Sequence, residues 1–124
     1  MSSTMAGVRF DRDGAIVSIA LSGEVDLSNV PDLRRQIFGA IRNDDRAVIV
    51  DLADLAFIDS AGLGMLFELS EVLDERRQRL FVVVPPGTQP RRTIDIVGFG
   101  TSIGVVDDRD AALEAASDEG RAGS

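Results

Sequence analysis

The residues in this chain that could carry chemistry gather in one stretch, Phe57-Ile58-Asp59-Ser60-Ala61-Gly62-Leu63-Gly64, with a shorter companion upstream, Gly23-Glu24-Val25-Asp26-Leu27. Asp and Ser oxygens accept the free N–H groups of a first helical turn, so Asp59-Ser60 marks a helix start. That end of a helix carries unpaired N–H groups and a partial positive charge. A phosphoryl group on a hydroxyl there is held well, and it brings roughly −1.5 to −2 charge at pH 7. Such a modification leaves the helix intact and changes the surface beside it, where a docked partner meets new charge and bulk. Gly62 and Gly64 are costly inside a helix, and two of them in a first turn suggest close approach to the backbone. Plain capping also accounts for Asp59 and Ser60. Gly23 to Asp26, taken alone, reads as a turn after a strand, with Asp26 a solvated carboxylate.

Other chemistries are excluded by composition. The chain has no Cys and no His, which removes disulfides, thiolate nucleophiles, Cys/His zinc sites and a Ser–His–Asp triad. Asp26 and Asp59 could act as an acid–base pair only if their pKa values were driven apart beside a cleft, and no substrate pocket is legible. There is no phosphate loop, no metal motif, and no G-x-G-x-x-G after a strand. The expectation is a protein that is not an enzyme, with no catalytic residue, no metal and no dedicated cofactor.

The 13 basic residues are all Arg against 21 acidic ones, a net charge of −8. Phosphate backbones and anionic membranes repel such a chain, so neither nucleic acid nor membrane is an expected partner. A basic protein surface is compatible, although acidity also serves solubility. No apolar run is long enough to span a bilayer, and Met1 to Gly7 lacks the apolar core of a signal peptide. The expected location is the cytoplasm, and the expected state a monomer.

The elements that must hold the two stretches follow from periodicity. Val8 to Asp11 and Ala15 to Leu21 read as a hairpin across Asp13-Gly14, with Val17, Ile19 and Leu21 on one face. Ser22 to Leu27 reads as a loop. Val30, Leu33, Ile37, Ala40 and Ile41 recur at helical spacing, ending near Asn43. Ala47 to Leu52 is a strand buried on both faces, and Asp54 to Phe57 reads as a connection. A long helix runs from Ser60 to about Arg77, its apolar stripe facing the core and its start, Leu63 with Met65 or Phe67, available to a docking face. Leu80 to Val84 is a second buried strand, Pro90 to Val97 a short helix stopped by Gly98, Val105-Val106 an edge strand, and Ala112 to Ala116 part of a last helix capped by Asp107 or Asp108. The expectation is one α/β domain over residues 8–116, a mixed and mostly parallel sheet of about five strands packed with four helices. Residues 1–7 read as a flexible N-terminus and 117–124 as a disordered tail.

Phe57 to Gly64 resembles the signature of the bacterial STAS proteins, notably the anti-sigma-factor antagonists. Gly23 to Leu27 is similar to that family's second block, at a fitting distance. Ile96-Val97-Gly98-Phe99 resembles its apolar-Gly-apolar pattern, and Ala111-Ala112-Leu113 its final helix. The resemblance implies that Ser60 is phosphorylated by an ATP-dependent serine kinase that is itself the anti-sigma factor, and that a metal-dependent serine phosphatase reverses this. It implies that the unphosphorylated form binds the kinase and releases the sigma factor. It places Asp26, Asp59, Ser60, Ala61, Gly62 and Leu63 on the partner-binding surface, with Asp59 orienting the loop. Ala61 stands where many relatives carry Ser or Thr, which leaves Ser60 the less ambiguous acceptor; Ser28, Ser70, Thr93 and Thr101 lack its context. The other reading within the family is an adaptor that docks without phosphorylation, in a signalling scaffold or a lipid-transport complex.

Overall fold

The computed structural model describes residues 6–98 and 103–122, and side chains as far as residue 117. Strands β1 (Ala6–Asp13) and β2 (Ile16–Val25) form an antiparallel hairpin whose turn uses Gly14 at φ +62°. The chain then follows α1 (Val30–Ala40), β3 (Ala47–Ile58), α2 (Ser60–Glu75), β4 (Arg79–Val83), α3 (Gln89–Val97), β5 (Gly104–Val106) and α4 (Arg109–Ala122). The five strands lie in one sheet in the order β1-β2-β3-β4-β5, antiparallel only between β1 and β2. A mixed, mostly parallel sheet with four helices is the architecture that the sequence predicts.

The alternation of side chains across β3 sets the two layers. Val48, Val50 and Leu52 face α1 and α2 in the larger core, with Leu33, Ile37, Leu66, Leu69 and Leu73, while Ile94 of α3 closes the same cluster. Ala47 and Ile49 point the other way, and with Phe81 and Val83 they pack under Ala112 and Ala116 of α4. This two-sided burial is why Ala47 to Leu52 reads as an almost unbroken apolar run.

Several boundaries differ from those expected. The supposed loop from Ser22 is the last part of β2, and the supposed connection from Asp54 is the last part of β3. The two strands stay paired through irregularities between Ala20 and Ser22 and between Gly23 and Glu24, ending with Val25 opposite Ile58. Ala53, Asp54, Ala56 and Phe57 are exposed, which breaks the apolar pattern that would have signalled a strand. Helix α1 stops at Ala40, since Ile41 is already extended at ψ 130°. Helix α2 stops at Glu75, two residues before Arg77, which sits in the left-handed region at φ 60°. β1 takes in Ala6 and Gly7, assigned above to a flexible terminus, because their backbones pair with Gly23 and Ser22. Helix α4 continues to Ala122, through residues read above as a tail; Ala115 to Glu119 contains no helix breaker, and each added residue closes one more hydrogen bond. Phe99 and Thr101 lie outside the described residues.

Candidate functional site

Pairing of Val25 with Ile58 puts the ends of β2 and β3 side by side, so the two sequence blocks emerge from the sheet at one point. The Asp59 N–H donates to Val25 O at 3.2 Å. Beyond that pair each chain turns away, one into the loop before α1 and the other into α2.

Asp59 joins the two. It is the N-cap of α2, with extended backbone, and its Oδ1 accepts the N–H groups of Ala61 (2.9 Å) and Gly62 (3.1 Å). Its Oδ2 accepts the N–H of Leu27 at 3.3 Å. One carboxylate therefore caps the helix and ties the neighbouring loop to it. Two first-turn N–H groups are occupied in this way, by the carboxylate of the residue that directly precedes Ser60.

The loop is braced from within. Asp26 Oδ1 accepts the Ser28 N–H at 2.9 Å and its hydroxyl. Asn29 accepts the Asp26 N–H through Oδ1 at 3.0 Å and donates through Nδ2 to Glu24 O at 2.9 Å. Asn29 is the N-cap of α1, with Pro31 in the first turn, but its side chain makes no cap bond because it is spent on this loop. The local logic is that of Asx turns, in which short polar side chains satisfy nearby backbone groups.

The structure brings together Asp26, Asp59, Ser60 and Ala61. Ser60, the first residue of α2, is exposed, while Asp26, Asp59 and Ala61 are half-buried. It removes Gly62 and Leu63 from the surface. Leu63 is only 4% exposed and Met65 3%, because these positions of α2 face the sheet. A Cβ built on Gly62 would lie 2.5 Å from Ile58 Cγ1 and 2.9 Å from Val25 Cγ1. The close approach inferred for this glycine is thus made by the protein's own strands. Gly64 is different: it is exposed, with nothing within 4 Å of a built Cβ.

Three of the hydroxyls set aside above are engaged or buried. Ser70 is buried, the Ser28 hydroxyl donates to Asp26, and the Thr93 hydroxyl donates to Gln89 O at 3.0 Å.

Two residues of the site were not among the candidates drawn from the sequence, although Leu27 closes the upstream block. Gln89, at the start of α3, accepts the Ile58 N–H at 2.9 Å and donates to Ile58 O at 3.1 Å. Pairing of β3 with β4 ends at Asp51 opposite Val83, so this side chain stands in for the missing strand just before Asp59. No local pattern marks a Gln for that role. Leu27 is the second: it is 74% exposed although apolar and flanked by braced residues. Its place in the loop beside the Asp59 block was the available signal.

Along α2, Glu68 receives hydrogen bonds from Arg34 of α1, one of them at 2.8 Å from Nε. These bonds, and secondarily the charge of Arg34, hold the Glu68 carboxyl below its ordinary value against the opposing effect of partial burial. Arg34 also lies 4.8 Å over the Phe38 ring. On the other face of the sheet a shallow trough of about 470 Å³ runs between Arg9, Asp11, Ser18, Asp51, Asp54 and Arg109. Neither Asp26 nor Asp59 lines it. Among the described residues, no helix is long and apolar enough to cross a membrane.

A family model for the STAS domain matches residues 8–112. The anti-sigma-F factor antagonist RsfB of Mycobacterium tuberculosis (strain H37Rv) is 31% identical over 89 residues, 72% of this chain and 70% of its own length. The fold is similar to a crystal structure of an anti-sigma factor antagonist from Mycobacterium paratuberculosis, with a TM-score of 0.82 at 24% identity over 91% of this chain and 95% of that one. It is also similar to the Bacillus cell fate determinant SpoIIAA in the phosphorylated form, with a TM-score of 0.64 at 21% identity over 88% of this chain and 99% of that one. A family match of that length, with a relative of that identity and coverage, establishes that the chain belongs to the STAS-domain family, among the bacterial anti-sigma-factor antagonists.

Proposed function

We propose that the unphosphorylated protein binds a serine-kinase anti-sigma factor and thereby frees a sigma factor, and that phosphorylation of Ser60 switches this off. The observation that carries the reading is the position of Ser60. It is an exposed hydroxyl on the first residue of α2, directly after the carboxylate that ties the helix to the neighbouring loop. Phosphorylation there adds roughly −1.5 to −2 charge beside Asp59, without removing any of the bonds that build the helix. The switch is therefore one of docking, by charge and bulk, and it is reversible by a serine phosphatase. A phosphorylated form in a protein of similar fold, Bacillus SpoIIAA, supports the assignment. Asp59 positions the loop, and Asp26 shares the docking surface. The protein acts as substrate and ligand of the kinase, in the cytoplasm and as a monomer.

The test is intact-mass and tandem mass spectrometry after incubation with native cell extract and ATP. One phosphoryl group on Ser60, absent from Ser60→Ala and removed when ATP is depleted and a divalent metal is supplied, is the expected result. Calorimetry then compares variants against the kinase: Ser60→Ala should bind as wild type does, and Ser60→Asp poorly. Equal binding by both would refute the charge-based docking switch. A chain that stays unmodified in extracts from several growth conditions would point to the phosphorylation-independent adaptor.

A further inference from the structure

We infer that Leu27 is the apolar anchor of the docking surface, the side chain that enters an apolar pocket on the anti-sigma factor, and that basic groups rim that pocket. The inference rests on the function proposed above and names the contact that would give it affinity.

Leu27 is 74% exposed, and the reason is its backbone. Its N–H is held by Asp59 Oδ2 at 3.3 Å. The residue before it is held by Asn29, and the residue after it is held by Asp26. A leucine on a slack loop could fold back onto the sheet; this one is fixed outward on both sides. The chain thus leaves a large apolar side chain in water and spends hydrogen bonds on keeping it there. An anchor presented in this way loses little conformational freedom on binding, which is the condition under which buried apolar area turns into affinity.

Its surroundings indicate the chemistry of the partner. Asp26 adjoins it, Asp59 holds its N–H, and Glu24 stands near the end of β2 three residues before it, within a chain of net charge −8. An apolar centre with an acidic rim fits an apolar pocket with a basic rim. The Leu27 N–H is bonded to Asp59, the residue directly before Ser60, so a partner seated on Leu27 lies at the end of the sheet that carries the hydroxyl. A kinase held by this anchor therefore has its acceptor within reach, and a phosphoryl group added to Ser60 lies within the same contact.

The experiment uses the full chain and the purified serine-kinase anti-sigma factors of the source organism. Leu27→Ala should weaken binding by roughly 10- to 100-fold, the worth of burying a leucine side chain, and should raise KM for Ser60 phosphorylation with kcat unchanged. Leu27→Met should keep most of the affinity and Leu27→Asp should lose it. Thermal unfolding should stay within a degree or so of wild type, since an exposed side chain contributes little to the fold. A kinase that binds wild type and Leu27→Ala equally well overturns the anchor and leaves the proposed function standing. If none of the kinases binds the wild-type chain, both fall together.

Discussion

Gly62→Ala and Gly64→Ala add the same methyl group to the same helical turn, and the structure assigns them opposite effects. Alanine is favoured over glycine in a helix interior by about 0.8–1 kcal/mol, and this gain applies to both. At Gly64 nothing lies within 4 Å of the new Cβ, so the gain survives and the variant should be stabilised by about 0.5–1 kcal/mol. At Gly62 the new carbon would sit 2.5 Å from Ile58 Cγ1, 2.9 Å from Val25 Cγ1 and 3.0 Å from Ile58 Cδ1. Both neighbours are β-branched and at most 1% exposed, with no flexible end to swing aside. Overpacking costs about 1–3 kcal/mol; two contacts under 3 Å with core side chains place this one in the upper part of that range, about 2–3 kcal/mol, and subtracting the helix gain leaves a net loss of about 1–2 kcal/mol. In urea, with a slope of about 2 kcal/mol per molar, the unfolding midpoint should fall by roughly 0.5–1 M for Gly62→Ala and rise by a few tenths molar for Gly64→Ala. A Gly62→Ala protein as stable as wild type would refute the close packing of α2 on the ends of β2 and β3. Gly64→Ala carries a second reading: tighter folding with weaker kinase binding would mean that the partner uses the bare backbone there.

Asp59→Ala strands the N–H groups of Ala61, Gly62 and Leu27 and should cost about 1–2 kcal/mol in urea denaturation; a neutral result would dismiss the shared carboxylate. Gln89→Leu leaves both backbone groups of the buried Ile58 without their partner; the expected cost is about 1–3 kcal/mol, and hydrogen exchange at Ile58 should rise. Glu68 has a lowered pKa in the fold, so the native state binds fewer protons than the unfolded state and stability rises with pH in that range. The stability advantage of wild type over Glu68→Gln should be present near neutrality, vanish as pH falls through the lowered value, and shrink with added salt. An advantage unchanged in acid would show that the Arg34 contact contributes nothing through charge.

The elements and the order of the chain were legible because each leaves a local mark. Asp13-Gly14 takes the turn expected of it, Ala47 to Leu52 is buried on both faces, and Gly98 ends α3 at φ 77°. The start of α2 at Ser60 was legible for the same reason, a capping carboxylate just before it, whereas Ser60 was singled out from plain capping by the resemblance of Phe57 to Gly64 to the family signature. What the tertiary structure alone decided is how distant segments meet. Strand pairing through two irregularities carries β2 to Val25 and β3 to Ile58, where the exposed Asp54 and Phe57 conceal the strand from any periodicity. Burial of Gly62 and Leu63 and exposure of Gly64 depend on which side of α2 rests on the sheet, and exposure of Leu27 depends on the bonds that hold its loop. The bonds from Asp59 to Leu27 and from Gln89 to Ile58 each join residues more than thirty positions apart. Local sequence fixes backbone preference within a few residues, whereas a site built at the ends of neighbouring strands exists only once the sheet has chosen its register.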